Sequence, residues 1–357
     1  ASALAAPGSL TAGGQPGAVV ACGALGAPQV QPHGSQGASG RPALSSSQSL
    51  VLSWQLGGQL SATALFARSW RLRSRGLVLL QNGHNDRSSL EHDVDPHGLI
   101  SLVHSLGFDV MALCLPLEGF NSLGTERPPL HTHNDFRGYY RAGDETVLRY
   151  FLAPVSLALD WAEAELGHSR FAMVGFSGGG WVTQVAAALE PRLSLSIAVA
   201  GPLPPHLVDR FDWLKYDFEQ MYEPRHVYEA CSMLCMHVLS TTGGCGRRWS
   251  VHLFHLQEDD PYPTVNAAHG LEAELEAYYG ELLPPLLEAA GGGLARVPAL
   301  RLALTTVDRH IGAWRDLAVL EALLRRWDAL RSRGAGAPDL LADWPLAVDA
   351  RREAPAM

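Results

Sequence analysis

Ser177 stands in the stretch GFSGGG, residues 175 to 180, with a glycine two positions away on either side. A serine hydroxyl is a poor nucleophile by itself. It needs a base to take its proton, an acid to orient that base, and hydrogen-bond donors for the oxyanion formed on attack. With 15 histidines and 36 acidic residues in the chain, residue type alone singles out none of these partners. A second chemistry is open at HTHNDF, where His131, His133 and Asp135 form an H-x-H-x-D pattern able to ligate a divalent metal. No later His/Asp series accompanies it, and hydrogen bonding within a loop is the plainer reading. The five cysteines are odd in number and scattered, so no disulfide framework is expected. Cys231 and Cys235, four apart in a stretch with helical spacing, read as a buried thiol pair sharing one helix face.

A glycine at each flank of a central serine suits a tight turn from strand to helix, because strand and helix then approach too closely for larger side chains. The flanking segments supply both elements. RFAMVGF before the serine is a short apolar run, and GGWVTQVAAALE after it has helical spacing. Upstream, SLVLSWQLGGQLSATALFAR reads as two antiparallel strands joined at Gly57-Gly58. GLVLLQ is the next strand, PHGLISLVHSLG a helix stopped by glycine, and FDVMALCLPL another strand. ETVLRYFLAPVSLALDWAEAEL follows as a long amphipathic helix, with a kink expected at Pro154. Downstream, LSLSIAVAG, SVHLFHL and ALRLALTTV read as strands and GAWRDLAVLEALLRRWDALRSR as the last helix. This alternation predicts an α/β fold, a mostly parallel central sheet flanked by helices. Residues 203–248, rich in aromatic residues and too long for an ordinary loop, read as a helical, lid-like insertion.

The expected organisation is a leader over residues 1–45, a catalytic domain over 46–335 with the insertion at 203–248, and a tail over 336–357. The leader is rich in Ala, Gly, Ser and Pro and has no acids, so it buries too little apolar surface to offset the entropy of ordering. Its lack of acids is one feature of an organelle transit segment, but only Arg41 supplies charge, and the compartment stays open. With 27 basic and 36 acidic residues the net charge is −9, which argues against nucleic acid as a partner. Four arginines between Arg68 and Arg75 read as a solvated hairpin end. No apolar run is long enough to span a bilayer. The oligomeric state is left open.

The chain resembles the α/β-hydrolase fold superfamily of serine hydrolases, on GFSGGG, NGHND, EDDPYP and DRHIGAW in that order. The resemblance implies the chain order nucleophile, acid, histidine. It points to Ser177 as nucleophile, to Asp260 as the acid beyond SVHLFHL, and to His310 as the general base after the last strand. Asp260 has Pro263 three residues on, a spacing frequent in the family's acid loop; Asp259 is the second choice, and Glu258 is the remaining neighbour. The oxyanion hole would be formed by the backbone N–H of Gly178 and that of His84, in NGHND, where the family's His-Gly order is altered. The implied substrate is a small-molecule ester or related acyl compound, with no cofactor. Hydrolysis and acyl transfer share the acyl-enzyme and stay unseparated, as does a non-catalytic binding role for the same fold.

Overall fold

The computed structural model describes residues 29–32, 49–57, 60–70, 73–84, 99–121, 133–136, 147–201, 204, 231–241, 248–255, 274–275, 277–283, 285–286, 300–305, 312–330 and 347–348. Among the described residues, ten strands form one sheet. They are β1 (Gln29–Pro32), β2 (Ser49–Gly57), β3 (Leu60–Ala67), β4 (Leu77–Gln81), β5 (Asp109–Leu113), β6 (Phe171–Phe176), β7 (Leu193–Val199), β8 (Trp249–His255), β9 (Leu300–Thr305) and β10 (Ala347–Val348). Their spatial order is β1-β2-β3-β5-β4-β6-β7-β8-β9-β10. The pairs from β1 to β5 through β3 are antiparallel, and every pair from β5 onward is parallel. The α-helices among the described residues include α1 (Leu99–Ser105), α2 (Arg149–Leu166), α3 (Gly178–Leu189), α4 (Met233–Thr241) and α5 (Gly312–Leu330).

Strands β4 and β6 are covered on both faces, which is why their sequences run as continuous apolar stretches instead of alternating. One face of the sheet packs Leu79, Met173 and Phe171 against α2 and α3 through Phe151, Val155, Trp181 and Val185. The opposite face packs Val78, Val174 and Ile197 against α1 and α5 through Ile100, Val103, Leu320 and Trp327. The result is a helix–sheet–helix sandwich. Helix α2 ends at Gly167, whose φ of 67° lets its N–H and that of His168 return to the carbonyls of Glu163 and Ala162. Pro154 lies inside that helix.

The connection from β4 leads through α1 to β5 on one side, whereas β6 continues through α3 to β7 on the other. The strand order therefore diverges between β4 and β6. In an open parallel sheet a crevice forms at the carboxyl ends of the strands where the connections part.

Three features differ from the sequence reading. Gln29–Pro32 lies in the segment expected to lack structure, yet it pairs with β2 as an edge strand. Composition is blind to this pairing because it uses the backbone groups on the open side of β2. Ala347–Val348, in the expected tail, likewise adds to β9. Cys231 precedes α4 instead of sharing its face, and it is disulfide-bonded to Cys235 with their Cα atoms 5.2 Å apart, so the pair is not two thiols. Within the expected insertion α4 is helical; its remaining residues other than Pro204, Cys231, Ser232 and Arg248 lie outside the described residues.

Three polar side chains, Arg248, His237 and His252, are buried where α4 meets the sheet. The Arg248 guanidinium donates to the carbonyls of Leu193 (2.9 Å) and Glu190 (3.0 Å), and also to those of Leu239 and Ala187. His237 of α4 and His252 of β8 are fully buried with ring centroids 5.1 Å apart, beside Tyr279 of the turn Ala277–Leu282. Both nitrogens of His237 and Nδ1 of His252 lack a hydrogen-bond partner among the described residues. Burial holds both imidazoles neutral, with His252 pushed down to about 3 and His237 well below the usual histidine range.

Candidate active site

The chain leaves β6 at Phe176 and enters α3 at Gly178, so Ser177 is the whole of the turn between them. Its φ is 53° and ψ −120°, a conformation rare for a residue with a β-carbon. Hydrogen bonds hold it there. The Ser177 N–H donates to the Val199 carbonyl at the end of β7 (2.9 Å), and the Ser177 carbonyl accepts from Gly180 (2.8 Å) and Trp181 (3.2 Å). Serine at the start of a helix commonly caps it with its hydroxyl, but Ser177 makes no such bond. The hydroxyl is thus not spent on the helix, and the side chain is half-buried.

The surrounding glycines are required by contact. A β-carbon on Gly175 would lie 2.1 Å from the Gly179 carbonyl oxygen and 2.2 Å from Thr183 Oγ1. One on Gly179 would lie 2.2 Å from the Gln81 carbonyl oxygen, and one on Gly180 2.8 Å from the Gly201 Cα. Gly180, beyond the two flanking glycines, is therefore a packing position as well. Helix α3 carries no acidic residue in its first turn, so nothing there offsets the positive end of its dipole.

The register between β4 and β6 brings a second loop to the serine. Gln81 pairs with Gly175, so two residues on Gly83 stands level with Ser177. A β-carbon on Gly83 would lie 2.7 Å from the Phe176 carbonyl oxygen and 2.9 Å from Ser177 Cβ. His84 comes next. Its ring lies over Gly178, where an added β-carbon would be 2.6 Å from Cε1 and 2.9 Å from Nδ1. The sequence reading thus paired two loops that meet in space, Gly83-His84 and Ser177-Gly178.

His133 was read as a metal ligand candidate or a loop hydrogen-bonding residue, and the structure gives it the second role. It is buried, its Nδ1 lies 2.8 Å from His84 Nε2, and its Nε2 lies 2.7 Å from the Pro116 carbonyl oxygen. Both ring nitrogens are engaged, so neither is open to a metal in this arrangement. Asp135 closes the same single turn of 3-10 helix, and His131 lies outside the described residues. Among the described residues no cluster of three or more His, Cys, Asp or Glu side chains can hold a metal. The His84–His133 contact was not foreseen; the only sequence signal was a polar histidine inside a segment that otherwise supplies buried aromatics such as Phe136.

Glu258, Asp259, Asp260 and His310 lie outside the described residues. The strands before them are described: β8 ends five residues before Asp260 and β9 five before His310. Both run parallel to β7 and β6, so their carboxyl ends emerge at the same edge of the sheet as Ser177. No described helix is long and apolar enough to cross a membrane.

No protein-family model matches the sequence, and no curated protein matches it. Among solved structures, Est1E from Butyrivibrio proteoclasticus is similar at 12% identity, with 78% of this chain and 99% of that one covered and a TM-score of 0.49. The Pyrococcus furiosus esterase Pf2001 is similar at 14% identity over 78% and 92% of the two chains, with a TM-score of 0.49. Acetyl xylan esterase 1 from Thermoanaerobacterium sp. is similar at 18% identity over 64% and 72%, with a TM-score of 0.43. At such identities and scores these likenesses carry no weight on activity, and the architecture rests on the molecule's own geometry. The sheet turns parallel after its first strands, and a strained serine sits between β6, the third strand of the parallel side, and its helix where the connections diverge; the chain is thus an α/β fold with a mostly parallel central sheet flanked by helices.

Proposed function

We propose that the protein is a serine hydrolase that cleaves a carboxylic ester or related acyl bond through an acyl-Ser177 intermediate. The observation that carries this reading is the backbone of Ser177, held at φ 53° by bonds to β7 and α3 with its hydroxyl left uncapped. Strain of this kind persists only where surrounding structure over-determines it, and it is concentrated at reacting groups.

In the proposed reaction Ser177 Oγ attacks the acyl carbonyl while His310 takes its proton. His310 then returns that proton to the departing alkoxide. Asp260 holds the imidazole in the tautomer that accepts from serine and stabilises the imidazolium. The carbonyl oxygen, negative in the tetrahedral intermediate, is received by the N–H groups of Gly178 and His84, with the α3 dipole adding to the field. Water then attacks the acyl-enzyme as His310 takes its proton; the acyl–Oγ bond breaks, His310 returns the proton to Ser177 Oγ, and the acid is released. The emergence of β8 and β9 at the serine's edge of the sheet supports this assignment, because Asp260 and His310 follow the ends of those strands by five residues each.

The test is labelling with a fluorophosphonate, which requires an activated serine, followed by p-nitrophenyl esters of graded acyl length. Labelling of the wild type and none of Ser177→Ala is expected. A wild-type protein that is neither labelled nor able to cleave any of the esters would end the reading.

A further inference from the structure

The bond partners of His133 fix the protons on two imidazoles at once. A carbonyl oxygen only accepts, so the 2.7 Å contact with Pro116 requires the hydrogen on His133 Nε2. His133 is buried beside Phe136 and Phe151, with ring centroids 6.2 and 5.0 Å away. A neutral ring with its proton on Nε2 has a lone pair on Nδ1, and that lone pair must accept from His84 Nε2–H across 2.8 Å. One backbone carbonyl beyond β5 thereby dictates the orientation of a side chain beyond β4. The His84 ring is left with its Cε1–Nδ1 edge over Gly178, and its backbone follows Gly83, which touches Ser177 Cβ too closely to admit a β-carbon.

We propose that His133 is a positioning residue for the oxyanion donors: through the His84 ring it holds the Gly83-His84 backbone at the working distance from Gly178 and Ser177. The proposal rests on the serine hydrolase reading and extends it to a residue that touches no substrate. Donor pairs of this kind work only when fixed in advance, and a shift of about 1 Å costs on the order of 10²-fold in rate.

The test uses His133→Phe, which keeps an aromatic ring in the cage and removes both bonds, and His133→Gln, whose amide can donate to Pro116 and accept from His84. The expected result is a fall in kcat of about 10- to 100-fold for His133→Phe with KM within about twofold. His133→Gln should recover most of the loss. A fully active His133→Phe, or a His133→Gln as impaired as the phenylalanine variant, would overturn the proposal while fluorophosphonate labelling of the wild type still upheld the nucleophile. A wild type that is not labelled would instead overturn the parent reading, and the proposal with it. A second measurement needs no folded His133 variant. In ¹⁵N-histidine-labelled wild-type protein, long-range proton–nitrogen spectra assigned with His84→Gln should show the Nε2–H form for both rings, and an Nδ1–H form at His133 would refute the relay.

Discussion

Replacing His252 with leucine should make the protein less sensitive to acid, by an amount that follows from the burial of the ring. The folded state keeps His252 neutral down to about pH 3. The unfolded chain takes up a proton near the ordinary histidine value of about 6.5. Below that value the unfolded state binds more protons, so the stability is fully present above about pH 6.5 and is lost as pH falls toward the folded value. Between pH 7 and pH 5 the loss attributable to one such histidine is about 2 kcal/mol, and His237, held neutral by the same burial, contributes a loss in the same direction. At pH 7 the leucine should cost little or even stabilise, because it removes a buried Nδ1 with no partner among the described residues and a hydroxyl contact with Ser250 of only 3.5 Å. Urea unfolding followed by tryptophan fluorescence at the two pH values measures the difference. The variant should lose about 2 kcal/mol less than the wild type on going from pH 7 to pH 5. Parallel losses in the two proteins would show that His252 titrates in the folded state and that the reasoning from burial is wrong.

Other consequences are simpler. Ser177→Gly should melt higher than Ser177→Ala, by roughly 1 kcal/mol of stability, since glycine adopts φ 53° without strain, and neither variant should turn over ester; equal melting would mean the turn is relaxed. Gly83→Ala should reduce kcat by at least ~10²-fold, because its methyl group must push the loop from the Phe176 carbonyl and Ser177 Cβ, as an ester assay would reveal. His310→Ala should cost at least ~10³-fold in kcat/KM, and an alanine scan of Glu258, Asp259 and Asp260 should place the largest loss at Asp260. Arg248→Met should destabilise by about 3 kcal/mol in chemical unfolding, because four backbone carbonyls lose a charged donor in a buried setting.

Much of the architecture was legible because the sheet is buried on both sides. LVLLQ and FAMVGF could be read as covered parallel strands from their unbroken apolar character, and the helices between them from spacing and glycine stops. The strands that were missed, Gln29–Pro32 and Ala347–Val348, attach at the sheet's outer edges through backbone bonds that leave no mark on side-chain pattern. At the site, the glycine spacing identified the turn at Ser177, but it did not report that Gly180 packs on Gly201. The pattern at His131, His133 and Asp135 was legible as chemistry but not as a particular chemistry. A histidine's partners are chosen by what the fold brings beside it, here His84 and the Pro116 carbonyl.

The sequence by itself determined the alternation of strand and helix and the strand-to-helix turn that carries Ser177. These are local properties, set by hydrophobic period and by which residues tolerate a tight turn. Tertiary structure decided which distant loops meet that serine. The pairing of Gln81 with Gly175 aligns Gly83 with Ser177, and the divergence of connections at β4 and β6 opens the edge on which His84 and His133 stand. Register and strand order arise from side chains packing across layers far apart in the chain, so no local stretch contains them.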